Sequence, residues 1–169
     1  AAPNASDATS GLASSSCAAP ATASVGSKTV ACTATDVAGN TATASAGYQV
    51  QYAFGGYQAP VSGAPGALNT ARAGQTVPLK WRLTDAAGNP VLNLTTAALT
   101  VVQIACPQQP PVTQPVPDAG TVNNAGLQNL GDGVYQLNWR TERAWDGTCR
   151  RVQLALGEGI TRTADFQFR

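Results

Sequence analysis

From Thr76 to Thr84 the chain reads TVPLKWRLT, with Val77, Leu79, Trp81 and Leu83 at alternate positions and Pro78, Lys80, Arg82 and Thr84 between them. Only an extended strand puts the first series on one face and the second on the other, because strand side chains alternate while helical ones return every three to four residues. The same period recurs in Tyr135, Leu137 and Trp139, in Val152, Leu154 and Leu156, and in Ala164, Phe166 and Phe168. No stretch repeats its apolar residues at helical spacing, so the expected fold class is all-β. Pro78 lacks an amide donor, which predicts that its strand lies at a sheet edge or enters the sheet there.

Two near-identical hexapeptides, TDVAGN at Thr35 to Asn40 and TDAAGN at Thr84 to Asn89, each sit between extended segments. Asp caps a turn through its carboxylate, and Gly and Asn tolerate positive φ, so T-D-x-A-G-N reads as a strand-ending turn written twice. A calcium loop needs several oxygen side chains and a bidentate acid, whereas each hexapeptide offers one Asp and one Asn. A phosphate cradle needs more glycines and a following helix. Neither a metal nor another cofactor is expected.

The extended segments number three or four before residue 53 and about seven after it, on either side of the Gly- and Pro-rich stretch YAFGGYQAPVSGAPG. A standard immunoglobulin-like sandwich takes about seven strands in roughly 100 residues. The expectation is therefore two Ig-like β-sandwich units, residues 1–52 incomplete and 53–169 complete. PQQPPVTQPVPDAG, at residues 107–120, carries five prolines and is expected to be a rigid loop between strands. GEG at Gly157 to Gly159 is expected to join the last two strands as a hairpin.

Charged residues are 11% of the chain, and ten basic groups against nine acidic ones leave a net charge of +1, too little to steer nucleic acid by field alone. No apolar run approaches the length of a membrane span, so neither nucleic acid nor membrane insertion is expected. Arginines concentrate after residue 70, which reads as a solvated rim on strands with a weak anionic face as the alternative. Cys17, Cys32, Cys106 and Cys149 form an even set without a C-x-x-C pair. With no His in the chain a zinc site needs all four thiolates, and disulfides in an oxidising, extracellular or cell-surface setting are the better account.

The run GSKTVACTATDVAGNTATASAGYQV, with SGLASSSC before it, resembles the C-terminal half of bacterial immunoglobulin-like repeats of the hyalin-repeat type. YAFGGYQAPV, LNTARAGQTVPLKWRL, GVYQLNWRTERAWDGTCR and ADFQFR resemble the PxKF-motif domain found at the C-termini of secreted bacterial proteins, with Trp81 where Phe is usual. These resemblances imply that Cys17 bonds Cys32 and Cys106 bonds Cys149. They imply an appended extracellular module and no catalytic activity.

The lack of His excludes the commonest general base and nucleophilic triads. Asp85, Asp118, Asp132, Glu142, Asp146, Glu158 and Asp165 remain as candidates for a carboxylate pair, but Asp85, Asp132, Asp146 and Glu158 all fall in Gly-containing turns and read as turn formers. No catalytic site is expected. An isopeptide bond has only Lys28 and Lys80 to draw on, and Lys80 faces away from Trp81. The leading expectation is a structural or adhesive module whose partners are neighbouring protein domains, other copies of the chain, or surface glycans. Because half a sandwich leaves an apolar face and open edges, residues 1–52 are expected either to pair with a neighbour, giving an oligomer or filament, or to be the remaining part of a repeat cut within a longer protein. The alternative is a carbohydrate-binding accessory module, for which Trp145 with Tyr57 or Tyr135, beside Arg143, would form an exposed aromatic strip.

Overall fold

A computed structural model describes residues 3–107, 122–123 and 126–169. The proline-rich expectation at 107–120 and the candidate acid Asp118 lie outside the described residues, Pro107 excepted. The chain divides into two compact units, Ala1–Gln51 and Tyr52–Arg169.

In the first unit, β1 (Leu12–Cys17), β2 (Gly26–Asp36) and β3 (Thr41–Val50) form an antiparallel sheet in that order. Register sorts the side chains strictly. Val30 faces Ala46, Cys32 faces Ala44 and Ala34 faces Ala42, while Thr29, Thr33 and Thr35 lie opposite Gly47, Thr43 and Thr41. One surface of the sheet therefore carries mostly small apolar side chains, with Ser15 opposite Ala34 and Lys28 opposite Tyr48 on the same side, and the other is largely hydroxyl. Cys17 pairs directly with Cys32 across β1 and β2, and the two form a disulfide. Val30 is the unit's one buried hydrophobic residue among those described.

The second unit carries β4 (Ala53–Gln58), β5 (Leu68–Ala71), β6 (Thr76–Thr84), β7 (Ala98–Ile104), β8 (Val122–Asn123), β9 (Leu127–Gly131), β10 (Val134–Arg140), β11 (Cys149–Ala155) and β12 (Thr161–Phe168). One sheet has the order β4-β6-β10-β9 and the other β5-β12-β11-β7-β8. Lettered along the chain from β4 as A, A′, B, C, C′, D, E, F and G, these are an A-B-E-D sheet and an A′-G-F-C-C′ sheet, the immunoglobulin order. β5 runs parallel to β12, and the other pairings in the two sheets are antiparallel. The fold is all-β: an Ig-like sandwich preceded by an incomplete sheet, each with one disulfide. Cys106, just past β7, joins Cys149 at the start of β11. Cys149 lies opposite Ile104 in the β11–β7 ladder, so this bridge closes two strands of one sheet where antibody domains tie the two sheets together.

The core is the meeting of the two inner faces. Leu79, Trp81, Leu83, Tyr135, Leu137 and Trp139 come from one sheet and Leu99, Val101, Val152, Leu154, Phe166 and Phe168 from the other, all buried. The Trp139 ring meets Phe166 at 5.2 Å and Phe168 at 5.7 Å, both edge to face, and meets Trp145 at 5.7 Å. Such pairs add about 0.5–1.5 kcal/mol each beyond their area.

β6 is interior to its sheet, yet β4 pairs only with the Lys80–Thr84 end, so at Pro78 it has β10 on one side and no β4 on the other. The missing amide falls where the ladder does not need it. Glu158 corrects an expectation: it is wholly buried, not a solvated turn former. Its carboxylate pairs with Arg162, whose side chain is nine-tenths buried, and accepts the Tyr52 N–H at 2.6 Å. Arg162 also lies over the Phe54 ring at 4.7 Å. The β11–β12 hairpin thereby grips the chain where it enters the sandwich.

Breaking such a pair strands a buried charge, which costs about 3–5 kcal/mol. Glu158→Gln, which keeps the shape and an acceptor for Tyr52, is expected to lower stability by about 3 kcal/mol or more, whereas Glu158→Gln with Arg162→Met recovers most of it. All three tryptophans lie in this unit, so urea unfolding followed by tryptophan fluorescence reads it directly.

Candidate functional site

The expected aromatic strip does not form. Trp145 lies in a short 3-10 turn, Arg143–Trp145, and is only 6% exposed, packed against Trp139 and Phe168. The Arg150 guanidinium covers its ring at 5.3 Å. Tyr135 is 1% exposed; its hydroxyl donates to the Val91 carbonyl and accepts the Leu94 N–H, both at 3.0 Å. Tyr57 is partly buried against the core, and its hydroxyl donates to the Arg162 carbonyl at 3.1 Å. Burial pushes that hydroxyl well above its usual range, with nearby Arg162 pulling the other way. The three rings complete the interior, because a sandwich this small spends its aromatics on filling the space between sheets. Of the four expected contacts only Arg143 is exposed.

The carboxylates are dispersed. Asp165 pairs with Arg151 at 2.6 Å, Asp132 with Arg82 at 3.0 Å, and Glu158 with Arg162. Among the described residues, no three of His, Cys, Asp or Glu gather as metal ligands would. Lys28 donates to Ser24 Oγ at 2.8 Å.

Both hexapeptides form the same turn. The Asp36 and Asn40 backbones bond at 3.0 Å, and Gly39 N–H donates to the Asp36 carbonyl. The Asp36 carboxylate accepts the Asn40 N–H at 2.8 Å and the Asn40 side-chain amide at 2.7 Å. Asp85 repeats this with Asn89, at 2.8 and 3.1 Å. Gly39 and Gly88 carry φ of 92° and 84°, the left-handed region that the motif's glycine supplies. The oxygens a cation would seek are engaged by the motif's own Asn. These bonds hold both carboxyls below the usual Asp range, the Asn side chain contributing most and its backbone N–H next.

The feature that best sets this molecule apart is the small-residue surface of the first unit. Ala42, Ala44 and Ala46 on β3 are exposed, and next to them lie Val30, Ala34, Tyr48 and the Cys17–Cys32 bridge. Within the first unit no second sheet covers this surface among the described residues. Among the same residues, β1 and β3 each have a strand neighbour on one side only. The count of strands before residue 53 was the signal that pointed to it.

No protein-family model matches the chain, and no curated protein matches it. Among solved structures it is similar to the RIG-5 IG1 homodimer, at 13% identity and a TM-score of 0.30, over 68% of this chain and 96% of that one. The Ig-like assignment stands on strand order.

Because the folded pKa values of Asp36 and Asp85 lie below the ordinary 3.8, the unfolded chain takes up these protons first as pH falls. Their contribution is complete above pH 3.8 and is lost below it, through the depressed folded values. In a carboxyl NMR titration, Asn89→Ala is expected to raise the Asp85 midpoint toward 3.8 and leave Asp36 unmoved; Asn40→Ala does the converse.

Proposed function

We propose that this chain is a non-catalytic, extracellular structural or adhesive module at the C-terminal end of a cell-surface or secreted bacterial protein, and that its first unit assembles with a second β-layer from a neighbour. The observation that carries this is the uncovered Ala42–Ala44–Ala46 surface flanked by two open strand edges. A sheet with one apolar face needs a second layer, and open edges are templates for added strands. Two disulfides suit an oxidising compartment.

Size favours edge pairing over face packing alone. Three strands of at most eleven residues make a face of about 14 by 37 Å. Two such faces bury at most about 1,040 Å², short of the roughly 1,200–2,000 Å² of stable complexes. Strand addition along β3 supplies backbone hydrogen bonds that the face cannot. The hyalin-repeat resemblance agrees, since it accounts for only half of a repeat. The sandwich then serves as a rigid terminal module, in keeping with the resemblance to PxKF-motif domains.

Light scattering at micromolar concentration is expected to give a dimer or larger species that Ala44→Asp reduces to monomer without unfolding the sandwich, as read by tryptophan fluorescence. A monomer at every concentration removes the assembly.

A further inference from the structure

The sandwich places its unpaired arginines together at one pole. Arg82, Arg151 and Arg162 each have a carboxylate partner, and Arg150 lies on Trp145. Arg72, Arg140, Arg143 and Arg169 have none among the described residues, and all four are exposed. Backbone bonds bring them close: Gln75 N–H donates to the Arg72 carbonyl at 3.3 Å, Ala73 N–H to the Arg169 carbonyl at 3.3 Å, and Thr141 N–H to the Gln75 carbonyl at 3.1 Å. Arg140 stands opposite Thr76 in the β6–β10 ladder. Among the described residues, Glu142 and Asp146 are the acids next to these arginines in the chain, and four guanidinium groups outnumber them. Cross-strand register and turn bonding create the cluster; in the sequence its members span nearly a hundred positions.

Two features make this more than a solvated rim. Arg143 packs along its stem: its Cγ lies against Gly74 in the β5–β6 turn, where any Cβ would collide with it. The pole also has a receptacle. Arg72 and Arg169 line one depression with Thr70 and Ala71. Arg72 also borders a neighbouring groove of about 240 Å³, where Thr70, Gln75 and Thr76 offer neutral polar groups above a floor that includes Pro60 and Pro78. That groove exists because β4 leaves β6 uncovered below Lys80.

We propose that this pole binds an acidic polysaccharide, its carboxylate or sulfate groups on Arg72, Arg143, Arg140 and Arg169 and its hydroxyls on Thr70, Gln75 and Thr76. Guanidinium forks match oxyanions bidentately. Among the described residues the exposed large hydrophobics are Leu12, Val37, Leu92 and Leu130, and none of them lines the depression or the groove, so the anchors that a protein partner uses are not found there. Among the same residues no exposed aromatic ring lines either one to stack a nucleobase. With a net charge of +1 the attraction is local and needs a ligand carrying several anions in series. The site does not depend on the assembly of the first unit, so the two readings fail separately.

The full chain is titrated with dextran sulfate, polygalacturonate, neutral dextran, polyglutamate and duplex DNA, at low and at physiological salt. The expected result is salt-sensitive binding to the two acidic polysaccharides, weaker binding to polyglutamate and DNA, and none to neutral dextran. Arg72→Ala and Arg143→Ala are each expected to weaken binding about three- to tenfold, the range from an exposed ion pair to a bidentate one. Arg82→Ala leaves it unchanged. Unaltered tryptophan-monitored unfolding shows that the arginine variants still fold. Absence of binding, tighter binding to polyglutamate or DNA, or an equal loss in Arg82→Ala overturns the proposal.

Discussion

The second unit depends on the packing of Trp139 between two sheets. Trp139 is on β10, yet its ring touches Phe166 and Phe168 of the opposite sheet and Trp145 of the turn that follows it. That one contact set fixes the spacing of the layers and folds the Arg143–Trp145 turn inward. Arg150 of β11 then lies over Trp145, and the turn sets Arg143 against Gly74. Buried aromatics of this size contribute more than any surface ion pair, which is typically worth about 0–1 kcal/mol.

The first unit has no comparable interior. Its apolar series is Val30, Ala34, Ala42, Ala44 and Ala46, and alanine methyls bury too little area to drive a second layer down by themselves. What remains is a backbone ladder, a disulfide joining β1 to β2, and an Asp–Asn turn joining β2 to β3. All are local, and none requires the apolar face to be covered. The two units are thus built on different physics, one on packing and the other on covalent and hydrogen-bonded constraint. The exposed surface of the weaker one follows from that difference.

Charge is also divided by the fold. Pairing neutralises Arg82, Arg151 and Arg162 at separate places, whereas Arg72, Arg140, Arg143 and Arg169 collect at one pole without acid partners among the described residues. A near-neutral composition therefore hides a locally basic surface. Aromatic rings follow the opposite course, withdrawn wholly or partly into the core.

Period-two alternation at Val77–Leu83, Tyr135–Trp139 and Val152–Leu156 determined the strands and the all-β class, because which face a strand side chain takes is a property of the extended backbone. T-D-x-A-G-N determined two turns for the same reason: Asp, Gly and Asn act within six residues, and the bonds they make need nothing from elsewhere. Three matters rested on contacts between residues far apart in the chain. Sheet pairing made Trp145, Tyr57 and Tyr135 interior when their sequence context left exposure open. Packing of the β11–β12 hairpin against the β4 entry turned Glu158 from an apparent turn former into a buried ion-pair partner. Register across β6 and β10, with the return of β12 beside β5, gathered the arginines. Strand identity is a local property, but burial and proximity are set by which strands pack together, and that is fixed only once both sheets have closed on their core.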